Sequence, residues 1–252
     1  MAIQKTNAII LKTQPFRSSS LIVTFFSRDF GKLKGVAKGV RLEREMRGPL
    51  FELFSQIDVV YYEKTKSDLH LISEVFLLES YEPVRTRLES IAYASYFSDL
   101  VDQLTEFHDP HEPIFHLLDF CLRYLPSLEP ERMARLFEIH LLKEVGWLPY
   151  LQGCVLCHEK HSEEFSFSPS QGALYCKKCA ASAKDARRIS EETLAVLRYY
   201  IQHDLESSVK RAIGSQTEKG LSVLMEKFFE FRLHRPLKSR IFMEKIKPAL
   251  SS

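Results

Sequence analysis

Four cysteines carry the clearest chemistry in the chain. Cys154 and Cys157 form one C-x2-C pair and Cys176 and Cys179 a second, with eighteen residues between the pairs. That spacing falls within the zinc-ribbon pattern. Two intervening residues let both thiolates of a pair reach one ion, and two such pairs complete a tetrahedron with Zn–S distances of about 2.3 Å. The other readings of four cysteines are two disulfides, an iron–sulfur cluster or unrelated buried thiols, and the spacing favours one Zn2+ over them. With all four positions filled by sulfur no water can be activated, so the ion's expected role is structural. The fifth cysteine, Cys121, falls on an apolar helical face and reads as a core thiol.

Catalytic signatures are missing elsewhere. There is no G-x-x-x-x-G-K-S/T loop and no G-x-G-x-x-G; Gly31, Gly35 and Gly39 recur every four residues and match neither. His158-Glu159-Lys160-His161 places its second histidine one residue early for H-E-x-x-H. His111-Glu112-Pro113-Ile114-Phe115-His116 places it one late. Gly153 and Tyr175 stand where a zinc deaminase has proline before cysteine, and no G-x-S-x-G elbow occurs. The expectation is a protein without catalytic turnover.

A third group of residues suits a polyanion. Net charge is only +2, yet residues 1–47 hold ten Lys and Arg against three acids, residues 82–146 six against twelve, and residues 232–247 six against one. Such a polarised surface can hold a polyanion at one place and a protein at another. Arg28, Lys32, Lys34, Lys38, Arg41, Arg44 and Arg47 lie close together, and Lys32, Lys34 and Lys38 share one parity. In an extended strand the three lysines project from one face, with Leu33 and Ala37 turned to a core. A row of ammonium groups on a strand can follow a phosphate backbone; the plainer reading is a solvated strand face. Arg17 sits in the first loop, a loop that borders the binding groove of OB-folds, and its neighbour Phe16 is the fairest base-stacking candidate.

The elements that must position these groups follow from periodicity. Ala8-Ile9-Ile10-Leu11, Leu21 to Phe26, the stretch 31–40, Ile57 to Tyr62, and Leu69-His70-Leu71-Ile72 read as five short strands, with a polar, proline-broken turn at 13–20. Five strands in about 80 residues suit an OB-type barrel. After Pro83 the apolar period becomes helical: Leu88, Ile91, Ala92, Ser95 and Tyr96; then Ile114, Leu117, Leu118, Cys121, Leu122 and Leu125; then Met133, Leu136, Phe137, Leu141 and Val145, which Gly146 can end. Residues 147–188 show little periodicity. Ser190 can cap a fourth helix, and Leu221, Leu224, Met225 and Phe228 mark a fifth that Pro236 stops. The expected class is α+β multidomain: an OB-fold barrel over 1–81, an α-helical domain over 82–147 and 189–247, and an inserted four-cysteine zinc finger over 148–188. The start, Met1-Ala2-Ile3-Gln4-Lys5, shows no secretory leader, and no stretch approaches the roughly 18 apolar residues of a membrane span, so a cytoplasmic protein is expected.

Short motifs in a fixed order carry a resemblance. They are Ala8-Ile9-Ile10-Leu11-Lys12, Phe30-Gly31-Lys32-Leu33, Ala37-Lys38-Gly39-Val40-Arg41, Arg47-Gly48-Pro49-Leu50 and Glu79-Ser80-Tyr81. Phe137-Glu138-Ile139-His140-Leu141-Leu142-Lys143-Glu144-Val145-Gly146-Trp147-Leu148-Pro149, Phe167-Ser168-Pro169, Gly172-Ala173 and Leu237-Lys238-Ser239-Arg240 follow. In these residues, nearly end to end, the chain resembles the RecO family of bacterial recombination mediators. It departs in His158, where a glycine is common, and in the acids Glu43 and Glu45 within the basic loop. Some family members lack the cysteines.

The resemblance implies DNA repair without catalysis: binding single- and double-stranded DNA, annealing complementary strands, and loading RecA onto DNA coated by single-strand-binding protein. It implies RecR and the acidic C-terminal tail of single-strand-binding protein as partners, and a cytoplasmic, nucleoid-associated location. Arg17, Lys32, Lys34, Lys38 and Arg41 are the expected backbone contacts, extended by Lys238 and Arg240. The alternatives are an RNA-binding OB-fold protein and a zinc-stabilised protein–protein adaptor.

Overall fold

The computed structural model describes residues 2–42, 45, 48–64, 67–233 and 235–250, so the predicted basic residues Arg44 and Arg47 lie outside the described residues. Five strands, β1 (Ile3–Phe16), β2 (Ser20–Ser27), β3 (Gly31–Ala37), β4 (Gln56–Tyr62) and β5 (Leu69–Glu79), close into a barrel in the order β1-β2-β3-β5-β4. All neighbours are antiparallel except β3 and β5, whose short parallel pairing of Lys34, Gly35 and Val36 with Leu69, His70 and Leu71 seals the barrel. Alternation is clean in β4, where Ile57, Val59 and Tyr61 turn inward to Ala8, Ile10, Val23, Phe25, Leu33 and Ile72. At Gly35 an added Cβ would lie 2.6 Å from the Ile72 side chain, so the seam requires glycine there.

The predicted turn at 13–20 is mostly strand. β1 runs through Pro15 to Phe16, leaving a tight turn at 17–19. Beyond Ile10, whose backbone still bonds to Phe54 and Ser55, β1 pairs among the described residues with β2 alone. That end of the strand is therefore an edge, where a missing N–H is tolerated.

The helices are α1 (Glu82–Arg85), α2 (Leu88–Leu104), α3 (Glu112–Tyr124), α4 (Pro130–Glu144), α5 (Glu191–Gln202), α6 (Leu205–Lys210), α7 (Ser215–Arg232) and α8 (Lys238–Leu250). The apolar faces read after Pro83 for α3 and α4 are buried, apart from Val145 just past α4. In α2 only Ala92 and Tyr96 of the expected face are buried: Leu88 is exposed, Ile91 and Ser95 are half-buried, and Tyr93, Phe97, Leu100 and Val101 carry the core side instead. Ser190 caps α5 by accepting from the Thr193 amide at 3.1 Å. Gly146 takes the left-handed conformation just past α4. Residues 147–188, read as aperiodic, contain strands β6 (Tyr150–Cys154), β7 (Phe165–Ser168) and β8 (Ala173–Cys176) and, at their end, β9 (Arg187–Ile189). At three to five residues each, these strands are too short to display a period. Among the described residues no helix is long and apolar enough to cross a membrane.

By compactness the chain divides into Met1–Pro130 with Leu237–Ser252, and Glu131–Pro236. This division runs through the helical region. In the first unit Tyr81, left-handed with φ 48°, follows the barrel's last strand. Its hydroxyl donates to Asp119 on α3 and lies 3.0 Å from Gln56 Oε1, while Arg123 pairs with Asp119 at 3.1 Å. Burial, with the Asp119 carboxylate second, drives the Tyr81 phenol far above its usual range. In the second unit Arg198 donates to Leu151 O at 2.6 Å and Arg232 to Pro169 O at 3.0 Å, fastening α5 and α7 to the cysteine-bearing segment.

Candidate nucleic-acid interface and metal centre

The cysteine site is built by two tight returns of the chain. Cys154 ends β6 and Cys176 ends β8, and the two strands pair in parallel. After Cys154 the chain reverses: the His158 amide donates to Cys154 O at 2.9 Å and the Cys154 amide to Glu159 O at 2.8 Å. After Cys176 the Cys179 amide donates back to Cys176 O at 2.9 Å. The four Sγ atoms lie within 4.8 Å of one another, with Cys157 and Cys176 at 3.6 Å. A tetrahedron with bonds of about 2.3 Å has sulfur–sulfur edges of about 3.8 Å, so this arrangement suits one thiolate-bound ion.

Burial raises Cys154, but the amides of Cys157, Cys176 and Leu156 outweigh it and hold the thiol at about 6. Hydrogen bonding with the Cys176 and Cys157 thiols pushes Cys179 up to about 12. Cys121 is fully buried in the first unit, and desolvation pushes its thiol well up, as befits a core side chain.

At the barrel the structure sorts the predicted cations into separate places. Arg17, left-handed with φ 54°, stands in the turn after Phe16, its guanidinium 5.2 Å from the Phe16 ring centre. Arg41 returns to the same turn: its amide donates to Ser19 O at 2.9 Å and its Nη1 to Arg17 O at 3.2 Å. Lys38 follows Ala37, which pairs with Leu21 directly after that turn. Register therefore places Arg17, Lys38 and Arg41, all exposed, at one end of the β1–β2–β3 ribbon with Phe16 half-buried among them. Phe25 is a core residue, as expected. Lys34 lies mid-strand and half-buried, its Nζ 5.1 Å from the Phe107 ring centre.

Lys32 departs from the expected row. Its side chain leaves the barrel on the predicted outer face, but the segment after α2 covers that face and leaves the residue 5 % exposed. The Nζ donates to Asp102 O and, at 2.7 Å, to Thr105 O, pairs with the Asp102 carboxylate at 3.2 Å and sits 4.7 Å from the Phe107 ring centre. Its backbone bridges to Phe107 as a further strand would, with the His108 amide donating to Lys32 O at 3.1 Å. Lys32 is thus an internal anchor with its donors engaged, and it leaves the set of phosphate contacts. Gly31 makes the approach possible: it is left-handed, and a Cβ there would meet Asp109 O at 1.9 Å. The cover of β3 by residues 102–109 is the structural feature that the sequence does not announce. Its only signal was Phe107-His108-Asp109-Pro110 at the end of a helical period.

Lys238 and Arg240 stand at the start of α8, which packs on α2, where the Ser239 amide donates to Asp99 at 2.9 Å. Lys238 is exposed and Arg240 half-buried.

The comparisons with known proteins agree over nearly the whole chain. The family models described as Recombination protein O N terminal and Recombination protein O C terminal match residues 1–81 and 85–241. A protein of Syntrophus aciditrophicus named DNA repair protein RecO is 30 % identical over 250 residues, covering 97 % of this chain and 96 % of its own. Its namesake in Pelotomaculum thermopropionicum is 27 % identical over 245 residues, 97 % of this chain and 95 % of its own. That of Symbiobacterium thermophilum is 26 % identical over 254 residues, 99 % and 100 % of the two chains.

Proposed function

The chain belongs to the RecO family of DNA repair proteins, and from that premise we propose that it binds single- and double-stranded DNA by the backbone, anneals complementary strands without catalytic turnover, and helps load RecA onto DNA coated by single-strand-binding protein. RecR and the acidic tail of single-strand-binding protein are its partners in this reading, and the nucleoid in the cytoplasm is where it works. The observation that carries the proposal is the exposed cluster of Arg17, Lys38 and Arg41 beside Phe16 at one end of the barrel. Annealing requires a strand held by its phosphates with its bases free to pair. A cationic barrel end with one adjacent ring has that character. Lys34, Lys238 and Arg240 extend the surface.

The four thiolates hold one Zn2+ in this proposal. A closed all-sulfur site has no open position for a reacting water, so the ion's part is to fix the fold of its segment.

The test is binding of a single-stranded oligonucleotide to an Arg17→Gln, Lys38→Gln, Arg41→Gln variant across a salt series. Each lost phosphate contact flattens the slope of log K against log salt by roughly 0.7, so three contacts flatten it by about 2. An unchanged slope removes the DNA path from this end of the barrel. Competition between matched DNA and RNA strands separates the repair reading from an RNA-binding one.

A further inference from the structure

Most large apolar side chains of the barrel are enclosed, but three consecutive ones on β5 are not. Phe76 is 54 % exposed, Leu77 41 % and Leu78 49 %, and nearby Leu53 is 37 % exposed. They lie on a strand that has lost one neighbour. β5 pairs with β3 only through Leu71, and among the described residues its later half, to Glu79, pairs with β4 alone. The strand is therefore an edge of the sheet there, with the single turn of 3-10 helix at Gly48–Phe51 packed against it, and such an edge can take up an added strand. Proteins keep an edge from pairing with charge, Pro or bulges; here Glu74 and Glu79 and register shifts at Ser73 and Leu78 flank the edge, while Val75, Phe76 and Leu77 between them are apolar and regular. Beside it opens a hollow of about 430 Å³ lined by Pro49, Glu52, Leu77, Ser80, Glu82 and Arg85.

Charge selects the occupant. Glu52, Glu74, Glu79 and Glu82 rim the edge and the hollow. The guanidinium in the hollow is already engaged: Arg85 pairs with Glu52 at 2.9 Å and donates to Leu53 O at 3.3 Å and to Ser80 O. Glu79 is met at 3.5 Å by Arg123, which also serves Asp119. Among the described residues two bases stand against four acids, and the described patch is anionic. DNA and an acidic peptide are both repelled. A second copy is disfavoured as well: antiparallel self-pairing about an axis between Phe76 and Leu77 sets Glu74 of each chain against Glu79 of the other, and like charges directly opposite destabilise a pair.

We infer that the β5 edge and its hollow form a docking site for another protein, which adds an extended apolar segment flanked by Lys or Arg to the strand. Phe76, Leu77 and Leu78 supply the apolar contact and the four glutamates the ionic rim. The face is separate from the cationic turn at Arg17 and does not depend on DNA binding.

The probe is a synthetic peptide, Lys-Lys-Val-Leu-Val-Ile-Lys-Lys, with two controls: a Glu-flanked version and a Lys-flanked glycine version. Amide shifts of the full-length protein are followed on titration. The Lys-flanked apolar peptide is expected to shift resonances between Ser73 and Thr86 and to bind at least tenfold more tightly than either control. Leu77→Ser with Leu78→Ser, both at exposed positions, is expected to abolish that preference while leaving the salt slope for DNA unchanged. Glu74→Lys with Glu82→Lys is expected to transfer it to the Glu-flanked peptide. Equal binding of all three peptides overturns the inference, as does an unmoved preference in the charge-reversed variant. Conversion of a self-associated protein to monomer by the leucine variant assigns the edge to a second copy instead, and loss of oligonucleotide binding in that variant assigns it to nucleic acid.

Discussion

Lys32 offers a sharp test because its two roles predict different losses. As a phosphate contact its removal lowers the salt slope for a single strand by roughly 0.7 and leaves the fold intact. As an internal anchor its removal damages the fold and leaves the slope alone. Lys32→Met retains the buried stem and deletes the ammonium group. Two carbonyl oxygens, of Asp102 and Thr105, then lose their donor, and the Asp102 carboxylate loses its ion partner. Breaking a fully buried pair costs about 3–5 kcal/mol, and hydrogen bonds to a charged donor contribute about 1.5–3 kcal/mol each. Asp102 keeps 28 % of its side chain in water, so part of its loss is recovered by solvent. A net cost of about 3 kcal/mol follows once that recovery is set against the orphaned carbonyls. Amides of β3 that exchange only through unfolding of the barrel should then exchange roughly a hundredfold faster. Asp102→Asn is the milder control, because both carbonyl bonds survive, and its expected cost is below about 1 kcal/mol. A Lys32→Met protein with unchanged exchange and a flatter salt slope would refute the anchor and return the lysine to the DNA.

Two further outcomes can be measured. Zinc analysis of the purified protein should give one ion per chain, and a strong chelator should deprotect amides in residues 150–189 while those of β1 to β5 stay protected, since the cysteines and the barrel belong to different compact units. Glu218 on α7, with both oxygens buried and without a hydrogen-bond partner, has its carboxyl pushed up to about 7, by burial first and by Glu138 and Glu131 against the pull of Arg135 and Arg132. Below the usual carboxylate range it is protonated in both folded and unfolded chains. Between about 4.5 and about 7 only the unfolded chain ionises, so stability falls as pH rises through that window and levels off above it. Glu218→Gln should remove this loss, a gain of up to about 3 kcal/mol near pH 8 in denaturation experiments, reduced in proportion to the solvent that reaches the site. Buried His140, lowered to about 4 mainly by desolvation, acts in the opposite sense below pH 6.5, so the comparison of wild type with Glu218→Gln isolates the glutamate. Identical pH profiles for the two proteins would show that Glu218 ionises freely in the folded state.

The sequence made some features legible because a local pattern decides them. Two C-x2-C pairs need only short returns of chain to converge, and they do. Alternation in Ile57-Asp58-Val59-Val60-Tyr61 names the inward residues of β4 directly. Helical spacing after Pro83 names the faces of α3 and α4 for the same reason, but misplaces that of α2, where nearly every side is apolar and only contacts with distant segments select the buried one. The parity of Lys32 and Lys34 is that of one outer face of β3, which Lys32 leaves by, whereas Lys38 lies past the strand's end at Ala37. What parity cannot carry is which distant segment comes to lie on that face. The cover at Lys32 is made by residues seventy positions later and is admitted by a glycine at 31 whose close contact is backbone to backbone. The same limit hid the edge of β5. Leu69-His70-Leu71-Ile72 announced a strand, but its continuation to Glu79 breaks alternation, because its register against β4 shifts at Ser73 and Leu78 and its side chains are exposed once β3 has ended. The apolar run of β2, Leu21 to Phe26, also lacks a period and is largely buried, so the run alone decides nothing. Exposure sets Phe76, Leu77 and Leu78 apart, and it marks where a neighbour is to be sought in another molecule.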